Sequence, residues 1–137
     1  MWHAEDCFCL RLKRASEELM KTYTEVLAPS GVTPVQHLIL GRICEREGAS
    51  LCEVAEAVGV DRSTLARTIR PLVNAGYVVD TKPAGTRNSQ LRLTKDGERV
   101  FWQAHALWTA EQDRVAETLG TKGREAFSDV VDMVTKF

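Results

Sequence analysis

Hydrophobic residues recur along the chain at spacings of three and four, then at every second position, then at three and four again. From about residue 5 to 28, Phe8, Leu12, Ala15, Leu19, Tyr23 and Val26 form one apolar stripe, the pattern of an amphipathic helix. Pro29-Ser30-Gly31 ends it. Thr33-Pro34-Val35-Gln36 predicts a helix start with a capping box and a proline in the first turn, continuing through Leu38, Ile39 and Ile43 to Gly48. Ser50-Leu51-Cys52-Glu53 predicts a second capping box, opening a short helix through Val54, Ala55 and Val58 that Gly59 stops in the left-handed conformation. Asp61 caps a fourth helix with Leu65, Ile69, Leu72 and Val73 on its inner side, and Pro71 should kink it near Arg67.

After Asn74-Ala75-Gly76 the period drops to two. Residues 77–81 and 90–94 read as strands, joined by a loop over 82–88 that holds a proline and a glycine. Thr94 caps a long helix through Phe101, Ala104, Leu107, Trp108, Val115 and Leu119. Gly120 breaks it, and Thr121 starts a last helix with Phe127, Val130, Val131, Val134 and Phe137. The order α-α-α-α-β-β-α-α predicts a mainly α (α+β) fold in a single domain over 1–137. It is a winged helix-turn-helix over about 33–96, flanked by helical segments at about 5–28 and 95–137.

Charge changes the picture more than composition does. The net charge is -1, which taken alone argues against a polyanionic partner. Between Arg62 and Lys95, however, seven basic residues face Asp80 as the lone acid, a local balance of +6, and the rest of the chain carries -7. A basic segment on an acidic body suits a protein that presents one face to phosphate. The exposed side of the fourth helix would carry Arg62, Ser63, Thr64, Arg67 and Thr68, side chains that reach bases and phosphates when a helix lies in the major groove of double-stranded DNA. Arg67 suits a guanine edge. Arg62 can serve a base or a phosphate, and Ser63 and Thr64 a phosphate or a thymine edge. On the hairpin, Arg87 at the tip suits a narrow minor groove, with Lys82 and Arg92 on phosphates.

Other chemistry is thinly represented. The segment around Cys7 and Cys9 lacks the pattern of a secretory signal, and no apolar run is long enough to span a bilayer, so a cytoplasmic location and no membrane partner are expected. Cys7, Cys9, Cys44 and Cys52 make no disulfide framework, and on a helix Cys7 and Cys9 would fall on opposite sides. His3, His37 and His105 show no metal-ligand spacing, and each reads as a surface or satisfied histidine. No phosphate loop, nucleophile elbow or carboxylate pair occurs, so neither a cofactor, a metal nor an enzymatic activity is expected.

SLCEVAEAVGVDRSTLARTIRPLVNAGYV and the later LRLTKDGERVF, with the glycine-punctuated hairpin between them, resemble the MarR family of bacterial regulators over nearly the whole chain. The resemblance implies a homodimer interlocked through its first and last helices. It implies two recognition helices on a pseudo-palindromic operator, regulation that is usually repression, and release by a small-molecule effector or an oxidant. It also places a candidate effector pocket at Tyr23, His37 and Trp108. Where family wings carry an Asp-Arg-Arg-like run, this chain has Gly85-Thr86-Arg87, so the acid that braces the wing is missing and its rigidity is in question. Cys7-Phe8-Cys9-Leu10 is similar to the Cys-Phe-x-Leu of the branch that senses organic hydroperoxides, which makes Cys7 or Cys9 the candidate redox thiol. The tyrosines that hold the cysteine in that branch are replaced by Arg11, Pro34 and His37. The reading from another class is a winged-helix module that docks a protein and has lost DNA binding.

Overall fold

The computed structural model describes residues 1–136; Phe137, expected on the last apolar stripe, lies outside the described residues. The chain enters through a single 3-10 turn (Ala4–Asp6), and α1 (Phe8–Leu27) begins only after Cys7, whose backbone is extended. Cys7 therefore lies before the helix, and the helical geometry that would set it opposite Cys9 does not apply.

Thr33 and Gln36 close the expected capping box on α2 (Pro34–Glu45). Ser50 caps α3 (Leu51–Val58) by accepting from the Glu53 amide at 3.1 Å. The reciprocal half of that box is absent, because the Glu53 carboxylate instead pairs with Arg46 at 3.0 Å. Gly59 ends α3 at φ 83°, and Asp61 caps α4 (Arg62–Asn74). The helix runs on past Pro71 without interruption; a proline this near the end removes only the donor to the Arg67 carbonyl. Strands β1 (Val78–Asp80) and β2 (Leu91–Leu93) pair antiparallel with Val78 opposite Leu93, and an isolated bridge joins Ala49 to Leu91.

The long helix α5 (Lys95–Val134) contains the predicted break: Gly120 sits at φ 67°, ψ -178°, a conformation that essentially only glycine adopts. Two arms, 95–119 and 121–134, meet there. At the other end, Thr94 locks the helix to the sheet. Its hydroxyl accepts from the Gly97 amide at 3.0 Å and donates to the Gly76 carbonyl at 2.5 Å. The approach is so close that a Cβ on Gly97 would lie 2.0 Å from the Tyr77 carbonyl oxygen.

The core gathers around α2. Leu27, Ile39, Leu40, Ile43, Val54, Leu65 and Leu72 are almost wholly buried, with Val78, Leu91, Val100, Phe101 and Ala104 closing it from the sheet and α5. Leu38 and Val73, expected on inner stripes, turn outward at 47% and 45% exposure; α2 instead directs His37, Ile39, Leu40 and Ile43 inward. The result is mainly helical with a two-stranded antiparallel wing. Among the described residues, no helix is long and apolar enough to cross a membrane.

Candidate nucleic-acid interface

The helix-turn-helix is set by α3, the tight turn at Gly59 and α4. Both Gly59 and Val60 donate their amides to the Ala55 carbonyl, at 2.9 and 3.1 Å, which turns the chain sharply. With Leu65, Ile69 and Leu72 inside, α4 leaves Arg62, Ser63, Arg67 and Arg70 exposed, with Thr64 and Thr68 half-buried. The first turn is knitted together by Asp61. Its Oδ1 accepts from the Thr64 amide at 2.7 Å and from Ser63 Oγ at 2.7 Å, and its Oδ2 accepts from Thr64 Oγ1 at 3.0 Å. These bonds, the Thr64 amide foremost, draw the Asp61 carboxyl down to about 2. Thr68 Oγ1 donates to the Thr64 carbonyl at 2.8 Å.

The wing is braced, though not from its tip. Asp80, at the end of β1, accepts from the Lys82 amide at 3.0 Å and from the Gln90 amide at 2.9 Å, so one carboxylate oxygen ties both ends of the loop. Partial burial pushes this carboxyl upward, but the two amides and the Lys82 charge outweigh it, and it titrates below the ordinary range. Thr81 adds its amide and its hydroxyl to the Gln90 carbonyl. Ser89 reaches back to the helix-turn-helix, its Oγ accepting from the Leu51 amide at 2.8 Å. Asp80 thus ties the base of the hairpin, while the tip at Gly85-Thr86-Arg87 carries no acid.

The expected contact residues are placed unequally. No carboxylate forms an ion pair with Arg62, Arg67, Arg70, Lys82 or Arg87 among the described residues, and all five are exposed. Arg92 is different: it binds Glu47 at 2.8 Å, across 45 positions of sequence, and so staples β2 to the segment before α3. Ser63 is exposed and Thr64 half-buried, and the hydroxyl protons of both already belong to Asp61. Elsewhere cations are commonly matched, as in Lys13–Glu17, Arg42–Glu45, Arg99–Asp96 and Arg114–Glu111.

The candidate pocket residues fall along one seam, where α1 and α2 meet α5. His37 is 4% exposed and stacks on Phe101, His105 and Trp108, with ring centroids 5.4, 5.5 and 5.6 Å away. His37 Nε2 and His105 Nδ1 are 3.2 Å apart, and His37 Nδ1 is buried without a partner. The tautomer that fits has Nε2–H of His37 donating to His105, because a bare lone pair is left unpaired at less cost than an N–H. Desolvation, then the neighbouring His105, lowers the His37 pKa. Tyr23 donates to Gln112 one turn beyond Trp108, and burial followed by the Glu111 charge raises its phenol. Glu111 is itself buried and chelates Arg114, with Nε 3.0 Å from both oxygens. His37 is thus neither a surface residue nor fully satisfied, and His105 joins it across 68 positions of sequence that no spacing rule connects. Cys7 is half-buried and Cys9 exposed; both are free thiols.

Comparison with known proteins supports the fold. The model of the MarR family matches residues 30–87. The transcriptional regulator SarZ of Staphylococcus epidermidis is 29% identical over 93 residues, and the match spans 67% of this chain and 63% of that protein's length. Among solved structures, the transcriptional repressor CouR bound to a 23-mer DNA duplex superposes with a TM-score of 0.84 at 26% identity, over 96% of this chain and 94% of that one. The Mycobacterium tuberculosis regulator MosR in complex with DNA gives a TM-score of 0.79 at 27% identity, over 96% and 98%.

Proposed function

We propose that this chain is a member of the MarR family and a sequence-specific DNA-binding transcription regulator, acting as a homodimeric repressor on a pseudo-palindromic operator. One observation carries the reading. On a fold that superposes on DNA-bound regulators, Arg62, Arg67 and Arg70 of α4 and Lys82 and Arg87 of the wing have no carboxylate partner among the described residues, while Arg92 and several cations elsewhere are paired. Arg67 takes a guanine edge, Arg62 and Lys82 take phosphates, and Arg87 enters the minor groove beside the wing. Arg92 contributes chiefly by holding the wing through Glu47.

The apolar residues that α1 and the far arm of α5 leave exposed support the second copy. Two recognition helices must fit successive major grooves, about 34 Å apart, so whatever alters the packing of the terminal helices alters affinity. Release by a small molecule would act through the seam of Tyr23, His37 and Trp108, where the two parts of the subunit join. CouR, similar in fold, is also known bound to p-coumaroyl-CoA. Release by an oxidant would act through Cys7 or Cys9, at the start of α1.

Fluorescence anisotropy with duplexes recovered from a random pool tests the core of this reading. Affinity should fall steeply with salt, log K declining by about 0.9 per phosphate contacted for each unit of log salt. Binding that ignores salt, or a pool that yields no preferred sequence, would count decisively against it.

A further inference from the structure

Three hydroxyls on α4 have their protons committed inward. Ser63 and Thr64 donate to the two oxygens of Asp61 at 2.7 and 3.0 Å, and Thr68 donates to the Thr64 carbonyl at 2.8 Å. A hydroxyl has one proton and two lone pairs, so what each can offer outward is a lone pair. For Ser63 and Thr64 the acceptor is an ionised carboxylate, and hydrogen bonds to ionised groups are roughly twice as strong as those between neutral ones. A neutral base carbonyl does not compete for those protons. A phosphate would compete, but it would have to sit against the Asp61 charge, which repels it.

Taking α4 as the reading helix, as proposed above, we propose that Asp61 fixes Ser63 and Thr64 as hydrogen-bond acceptors toward DNA. They then read the exocyclic amino group of adenine or cytosine and discriminate against thymine and guanine at the positions they face. In the major groove adenine N6 and cytosine N4 are the donors, whereas thymine O4 and guanine O6 and N7 only accept. Arg67 lies three residues after Thr64 and four after Ser63, on the same side of the helix. A guanidinium beside a hydroxyl lone pair complements both halves of a G·C pair: the arginine donates to guanine, and the hydroxyl accepts from its cytosine. The aspartate thus sets base preference without touching a base, as a positioning residue.

Selection of bound duplexes from a random pool, run on the 137-residue chain and three variants, tests this. Ser63→Ala and Thr64→Val locate the base positions the hydroxyls face, as those where each variant flattens the preference. At those positions the parent should favour adenine or cytosine by roughly fivefold or more. Asp61→Asn keeps an oxygen for the Thr64 amide but turns an NH2 toward the Thr64 hydroxyl, which must then accept inward and donate outward. Its preference at the Thr64 position should shift to thymine or guanine, with an unchanged melting curve showing that the helix cap survives. If Asp61→Asn does not fold, the bases marked by the other two variants decide the matter alone. The proposal is overturned if the parent favours thymine or guanine at the marked positions, if Ser63→Ala and Thr64→Val leave the selected sequence unaltered, or if folded Asp61→Asn keeps the parent's preference. No enriched sequence for the parent removes the DNA reading itself, and this proposal with it.

Discussion

On α4 the apolar side chains Leu65, Ile69 and Leu72 are buried and the arginines face water; on α1 and the far arm of α5 the apolar side chains themselves face water. Phe8 is 83% exposed and Phe127 54%, with Leu12, Leu19, Val130 and Val134 also open. The helix-turn-helix is therefore finished as a packing problem and unfinished as an electrostatic one. The terminal helices are the reverse. Exposed apolar side chains along a helix suit an interface, whereas unpaired cations suit a polyanion. The two regions should answer to different solvents. Salt screens the first and leaves the second intact or stronger.

The largest effect should come from charging the apolar arm. Phe127→Asp with Val130→Asp places two carboxylates where a second copy would pack. Light scattering should show half the parent mass, and operator affinity should fall by about 100-fold or more as the two recognition helices lose their tether. A double variant that stays dimeric, or a monomer that binds as well as the parent, would break the division of labour between the regions. Arg67→Ala should act more locally. We expect a loss of about 1 to 3 kcal/mol in binding and a relaxed preference at one base position per half-site, with dimer mass unchanged. A uniform loss across all sequences would instead make Arg67 a phosphate contact.

How far the sequence carried depended on the range of the interaction. Local rules worked where structure is made by neighbours: the Thr33–Gln36 box, the left-handed Gly59, the break at Gly120 and the hairpin between β1 and β2 follow from residues within a few positions of each other. They failed where a distant partner decides. Glu53 left its box for Arg46, Arg92 was taken by Glu47, and Asp80 reached across the hairpin to Gln90. Leu38 and Val73 sit at the edges of their stripes, and periodicity gives the centre of a buried face better than its limits. The Asp61 cap was legible, but its grip on two hydroxyls was not. It depends on rotamers rather than spacing.

The smallest effect lies on the seam between the two regions. His37 belongs to α2, at the heart of the core beneath the helix-turn-helix, and His105 to α5, which runs on into the exposed arm. Burial and the adjacent His105 lower the His37 pKa from its ordinary 6.5, so the unfolded chain binds a proton more readily than the folded one. Stability should then be fully present above about 6.5, decline as the pH falls below that value, and level off once the folded-state pKa is passed. Glu111 and Arg114, further along α5, stay ionised across that window and add no slope of their own, because their mutual pairing lowers the one pKa and raises the other. Urea denaturation at a series of pH values measures the decline. His37→Phe, which keeps a ring against Phe101 and Trp108, should flatten it. Equal slopes for parent and variant would mean that this contact is not a point at which protons bear on how the two regions are joined.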